Sequence, residues 1–314
     1  MLPGNGSFTG RTLMFVGRSR ELAALRKAVA SHPDYQVLNI HGPGGIGKTH
    51  LLYRFTEELG AQDACIIWLS AREVQPSLEG IAEALHRSLS KAVAPSPPLH
   101  LATPYLSPSP SAPARSSASS ASQLPPSAAA PPTASGRRND ASLRRAGNAG
   151  GTTLQDALEL VKVVASARQT VVVIDDYEAA PELDGLFRRW VLPLLDPRVL
   201  VVIASWHPLT RLWESDPASL AGTRCLALRY LTPEEAEEFL QCRGIAEQGT
   251  LDRIILFAGG LPLALALAAD AELDVRHTES AGSKRKGEIN YQEVAHEVFR
   301  RIVREIPDEE VLGL

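Results

Sequence analysis

Short apolar runs rich in β-branched residues recur at residues 36–40, 64–69, 170–174 and 199–204. Each is too short for a globular helix and lacks strict polar–apolar alternation. They read as strands buried on both faces, as in a parallel sheet. A fifth run, 224–230, alternates more and is expected at a sheet edge. Between the runs, apolar positions fall at helical spacing over 21–30, 48–59, 78–90, 153–167 and 184–192. Thr152 and Thr153, with Asp156 in the following first turn, mark the start of one of these helices. Strands alternating with helices predict a doubly wound α/β layer with a five-stranded, mostly parallel sheet between helices.

Beyond residue 230 the pattern becomes helical. Thr232, Pro233, Glu234 and Glu235 supply an N-cap, a proline at the first helical position, first-turn acids and a capping box. Helices near 233–242, 249–258 and 262–272 would form a small bundle. Residues 277–289 are polar and read as a loop, and 291–305 is again amphipathic. The expected parts are an α/β domain over 1–230, a helical lid over 231–276, and a linker with a further segment over 277–314.

One stretch, 92–152, breaks the α/β pattern. It is mostly Pro, Ser and Ala, and no Asp or Glu falls between Lys91 and Asp140. With few large apolar residues it cannot bury enough surface to offset its ordering entropy, so a disordered insertion is expected. Removing it leaves the strand–helix alternation unbroken, which makes it an elaboration of one domain.

Composition narrows the classes. The chain has 314 residues, of which 44% are hydrophobic, and a net charge of −4. That is enough apolar content for a core, without the basic field that would draw in nucleic acid or an anionic membrane. Nucleic acid is therefore not an expected partner of this chain alone. No apolar run reaches the length of a membrane span, and no secretory signal stands at the N-terminus. Cys65, Cys225 and Cys242 lack metal-ligand spacing, and Cys65 and Cys225 lie in apolar runs. Buried free thiols in a reducing cytoplasm are the expectation.

The chemistry concentrates in Gly42, Pro43, Gly44, Gly45, Ile46, Gly47, Lys48 and Thr49, a full G-x-x-x-x-G-K-T pattern between a strand and a helix that continues through His50. Glycines let the backbone curl so that its N–H groups converge on phosphates at the positive end of the helix. Lys48 is expected to reach the β- and γ-phosphates of ATP or ADP, and the Thr49 hydroxyl to ligate Mg²⁺. Downstream, the apolar strand 171–174 ends in Asp175, Asp176, Tyr177 and Glu178. Asp175 is the expected Mg²⁺ partner, and either Asp176 or Glu178 is expected to polarise the attacking water. The lone His207 has no second His or Cys nearby to make a metal site.

These elements together resemble the nucleotide-binding module of STAND ATPases, the NB-ARC and NACHT relatives of the AAA+ proteins. The resemblance rests on Phe15, Val16, Gly17 and Arg18, the phosphate loop, the strand ending in two aspartates, and Gly259-Gly260-Leu261-Pro262-Leu263-Ala264. It implies that Val16, Gly17 and Arg18 pack near the adenine and that Pro262 closes over it. It also implies a signalling ATPase that alternates between ADP and ATP states with slow hydrolysis, acting through a homo-oligomer or a partner protein. At the end of the fourth strand the family carries an arginine or another polar sensor; here Ser205 would fill that role, because Trp206 replaces the arginine. Residues 298–310 resemble the opening of a winged helix, of which only the opening is present. Two other readings stand beside the switch: a nucleotide-binding scaffold without useful turnover, and a DNA-associated ATPase of the origin-recognition type.

Overall fold

The computed structural model describes residues 15–30, 35–93, 152–280 and 289–303. Nearly all of the expected insertion, and all residues after 303, lie outside the described residues. Five strands make one parallel sheet: β1 (Val37–His41), β2 (Cys65–Ser70), β3 (Thr170–Asp175), β4 (Leu200–Ser205) and β5 (Thr223–Ala227). Their order is β2-β3-β4-β1-β5, so β4 separates β1 from β3.

In the central strands alternate residues enter two different cores. Val172, Ile174, Val201 and Ile203 face one core; Val171, Val173, Val202 and Ala204 face the other. Helices α1 (Ser19–Ala30) and α2 (Lys48–Gly60) cover the second face through Leu25, Leu51, Leu52 and Phe55. Helices α3 (Leu78–Val93) and α4 (Leu154–Ala167) cover the first through Leu85, Leu89, Ala157 and Val161. Both faces are thus dry, which is why these strands lack alternation in sequence. The expected edge position of β5 is met. β2 departs from the reading of double burial: it is the opposite edge, and Ile66 and Trp68 are only half-buried on its second face. Cys65 is buried, but Cys225 is half-buried because edge strand β5 has one neighbour, and Cys242 is exposed; all three are free thiols.

Start signals proved readable. Thr153 caps α4 in a capping box with Asp156. Thr232 caps α8 (Pro233–Cys242) in the same way with Glu235. Caps of this kind contribute about 1 kcal/mol each. The single helix expected over 184–192 is instead α5 (Pro181–Leu186), a wide π-helical turn over Phe187–Val191 and a tight turn over Leu192–Leu194. Pro193 explains the change, because it donates no N–H and its ring clashes with the preceding helical turn. Short helices α6 (Leu209–Leu212) and α7 (Pro217–Ala221) lead into β5.

After β5, α8, α9 (Gln248–Ala258), α10 (Pro262–Ser280) and α11 (Tyr291–Val303) share a third core around Leu240, Leu251, Ile254 and Leu265. α10 runs past the expected end at 272 and into the expected loop. Its polar end is held by the Arg276–Glu272 pair, 2.8 Å apart at i,i+4 spacing. Among the described residues no helix is long and apolar enough to cross a membrane.

Candidate nucleotide-binding site

β1 delivers the phosphate loop at the carboxyl edge of the sheet, where ligands of open α/β folds collect. Gly42 fixes the start, its N–H donating to the Ser205 carbonyl of β4 at 3.2 Å. Gly45 and Gly47 adopt φ of +74° and +95°, the left-handed region that side chains resist. Between them the Ile46 side chain is buried in the α1–α2 core, and its carbonyl accepts from Nη2 of Arg18 at 2.9 Å. Buried Arg18 also reaches Glu21 at 3.4 Å. The loop is therefore pinned at both ends. It opens into the first turn of α2, where a helix has backbone N–H groups without intrahelical acceptors.

Lys48 is buried and its ammonium crosses the loop to the carbonyls of Gly42 at 2.8 Å and Pro43 at 3.2 Å. Thr49 donates its hydroxyl toward Asp175, which is only 4% exposed. Burial pushes the Asp175 carboxyl up to about 6, and the neighbouring charge of Asp176 adds to it. Thr49, the Asp176 N–H at 3.0 Å and the Lys48 charge pull the other way. Asp176 sits at φ 54° and is drawn outward by Arg72, whose Nε lies 3.1 Å from its Oδ2. Glu178 follows on a 3₁₀ turn, Tyr177–Ala179. Burial raises its carboxyl to about 7, Lys48 lowers it, and its Oε2 is buried without a hydrogen-bond partner. Tyr53 of α2 stacks on Trp68 of β2, with ring centroids 4.6 Å apart, and burial followed by Asp175, Asp176 and Glu73 raises its hydroxyl pKa. The sheet order thus brings Lys48, Thr49, Asp175, Asp176 and Glu178 to one edge from segments more than a hundred residues apart.

At the end of β4, Ser205 is buried. Its Oγ accepts from Asn39 Nδ2 at 2.7 Å and donates to the His207 carbonyl at 2.7 Å. Asn39 itself, wholly buried in β1, also donates to Ile203 O and accepts from Leu209 N–H at 3.0 Å. His41 is held below its ordinary pKa by burial, then by His207 and Lys48, and His207 is exposed. Trp206 is half-buried, and its Nε1 has no acceptor. A second polar centre is Asp184. It accepts from Tyr177 Oη at 3.0 Å, from Trp213 Nε1 at 2.7 Å and from Arg188 Nε at 2.9 Å.

The helical part reaches the same loop. Leu263 donates its N–H to the Gly45 carbonyl at 3.2 Å, and a Cβ on Gly45 would come within 2.7 Å of the Leu263 Cβ. Pro262 stands at the start of α10, half-buried. On the other flank Gly17, at φ +71°, lies against the Glu235 carboxylate of α8, with half-buried Val16 before it. His50 keeps exposed surface, yet surrounding protein desolvates its ring and lowers its pKa, and Arg243 just after α8 lowers it further.

Sequence reasoning missed Asn39, Arg72, Tyr53 and Asp184. A polar residue inside an otherwise apolar strand was the signal available for Asn39. The other three had none, since their partners lie on distant segments.

The phosphate loop on β1, the acidic end of β3 and the intervening β4 define a P-loop NTPase fold. The model of the AAA ATPase domain family matches residues 14–203, and the chain belongs to that family. Among solved structures, Cdc6p from Pyrobaculum aerophilum is similar with a TM-score of 0.54 and 16% identity, covering 98% of this chain and 73% of that one. The Drosophila ORC bound to DNA gives 0.50 and 15%, covering 91% and 68%. The Aeropyrum pernix ORC1 protein in complex with DNA gives 0.50 and 16%, covering 94% and 70%. At such identities the likeness is one of fold. A comparison with curated protein sequences gives no match.

Proposed function

We propose that this chain binds Mg·ATP and ADP on residues 42–49 and hydrolyses ATP slowly, acting as a nucleotide-dependent conformational switch. The observation that carries the reading is the convergence of the Lys48 ammonium, the Thr49 hydroxyl and the Asp175 carboxylate on a loop pinned by Arg18 and Ser205. A phosphate chain competes with the Gly42 and Pro43 carbonyls for Lys48, while backbone N–H groups of the loop and of α2 receive its oxygens. Thr49 and Asp175 fit Mg²⁺, a hard cation that takes a few protein oxygens and completes its shell with water and phosphate. Among the described residues no three His, Cys, Asp or Glu side chains cluster as an all-protein metal site. When bound, the ion neutralises charge on the β- and γ-phosphates.

In this reading residues 1–230 form the nucleotide domain and 231–276 the lid. Val16, Gly17, Arg18, His50 and Pro262 border the nucleoside end, and Ser205 supports the phosphate end. The Leu263–Gly45 hydrogen bond supports switching, because a change at the loop is felt directly by α10. The signalling role of the STAND relatives is the functional context we favour for the switch. Lys48→Ala should leave the protein folded and remove both ADP binding by calorimetry and turnover of Mg·ATP. Unchanged affinity and turnover in a folded variant would remove the loop from the function.

A DNA-associated ATPase of the origin-recognition type is the second reading. It is favoured by the likeness to Cdc6p across nearly all of this chain and by the description of two similar structures as bound to DNA. Titration of labelled duplex DNA at several salt concentrations separates the two. Binding that weakens with rising salt supports this reading, since phosphate contacts release counterions. No binding at low salt, with and without ATP, leaves the switch.

A further inference from the structure

We infer that Glu178, and not the adjacent Asp176, is the carboxylate that orients and deprotonates the water attacking the γ-phosphate. The inference rests on the ATPase reading above and assigns a residue within it. Two carboxylates follow Asp175, and their surroundings differ. Asp176 is committed: its Oδ2 lies 3.1 Å from Arg72 Nε, and its backbone at φ 54° turns the residue away from the run of β3. That guanidinium already occupies a carboxylate oxygen that would otherwise hold a water.

Glu178 has the opposite situation. Its Oε2 is buried, no protein group donates to it, and the Lys48 charge acts on its carboxyl. A buried carboxylate oxygen without a donor is unfavourable, and a water bound there would supply the missing donor. Neighbouring side chains of a 3₁₀ turn splay apart by about a third of a turn. Tyr177 enters the core and is tied by its hydroxyl to Asp184, which fixes the turn. Tyr177 thus anchors the backbone of the turn, and the Glu178 carboxyl lies near enough to Lys48 for its charge to act on it.

In the step assigned here, the water oxygen forms a bond to the γ-phosphorus as the bond between that phosphorus and the β–γ bridging oxygen breaks. ADP leaves with the electron pair. The water proton passes to the Glu178 carboxylate and from there to phosphate or solvent, which leaves Glu178 ready for the next turnover.

The test compares the full chain with Glu178→Gln, Glu178→Asp and Asp176→Asn. It follows ATP turnover, ATP and ADP affinity, and the survival of bound ATP in a single-turnover mixture. Glu178→Gln should bind ATP as the parent does, lower kcat by roughly 10²-fold or more, and retain intact ATP. Glu178→Asp should recover part of the rate. Asp176→Asn should lose several-fold less than Glu178→Gln. Turnover of Glu178→Gln within threefold of the parent would overturn the assignment, as would a larger loss in Asp176→Asn. A parent protein that binds ATP but never cleaves it would overturn the hydrolytic reading and this assignment together. Loss of ATP affinity in Glu178→Gln, in a protein that still melts cooperatively, would make the residue a binding group and also overturn the assignment.

Discussion

Asp175 shows how one side chain serves two opposed demands. Its carboxylate must be ionised to meet a cation, yet burial raises its pKa from the ordinary carboxylate range to about 6. The folded protein therefore holds a proton on Asp175 more tightly than the unfolded chain does. Between about pH 4 and pH 6 the unfolded chain ionises first, and stability falls as pH rises through that window. Asp175→Asn removes this penalty. In protein free of nucleotide and metal, the variant should be more stable by about 1–2 kcal/mol at pH 7.5, and the gain should fade as pH falls from 6 toward 4. Urea unfolding at several pH values reads this directly. The same substitution should weaken Mg²⁺-dependent ATP binding more than binding without metal, by calorimetry in each condition. An equal loss in both would take Asp175 out of the metal site.

At the scale of elements, the phosphate loop and α10 form one mechanical unit. Gly45 is the point of contact: its φ is +74°, its carbonyl accepts from Leu263, and there is no room for a Cβ beside Leu263. Gly45→Ala should weaken ADP binding about tenfold, through backbone strain of roughly 1–2 kcal/mol and displacement of α10. Adding Leu263→Ala should relieve the contact but not the strain, so affinity returns only in part. Full recovery would mean that the left-handed backbone is unimportant. The glycines, the N-cap at Thr153 and the capping box at Thr232 could be read from the sequence because their causes are local. The π-helical turn before Pro193 was missed, since a proline disrupts the turn before it in a way the apolar spacing does not display.

On the scale of the whole molecule, α3 and α4 flank the Pro/Ser/Ala-rich stretch and still pack on each other and on the sheet through Leu85, Leu89, Ala157 and Val161. Replacing 95–151 by a short Gly/Ser linker should therefore leave ADP affinity and the melting temperature nearly unchanged. A loss of several degrees would show that the segment contributes to the folded unit.

By itself the sequence determined the α/β class, the strand–helix order, the phosphate loop and the acidic end of β3. Each of these is written in short-range signals: apolar runs, helical spacing, caps and a glycine pattern. Tertiary structure alone decided the strand order β2-β3-β4-β1-β5, which puts β2 at an edge and half-exposes Trp68. It also decided that Asn39 organises the end of β4, that Arg72 takes Asp176, and that one oxygen of Glu178, Oε2, is buried without a hydrogen-bond partner. The physical reason is that a side chain's charge state and hydrogen bonds depend on what the fold brings within a few ångströms, and those neighbours come from parts of the chain that no local pattern connects.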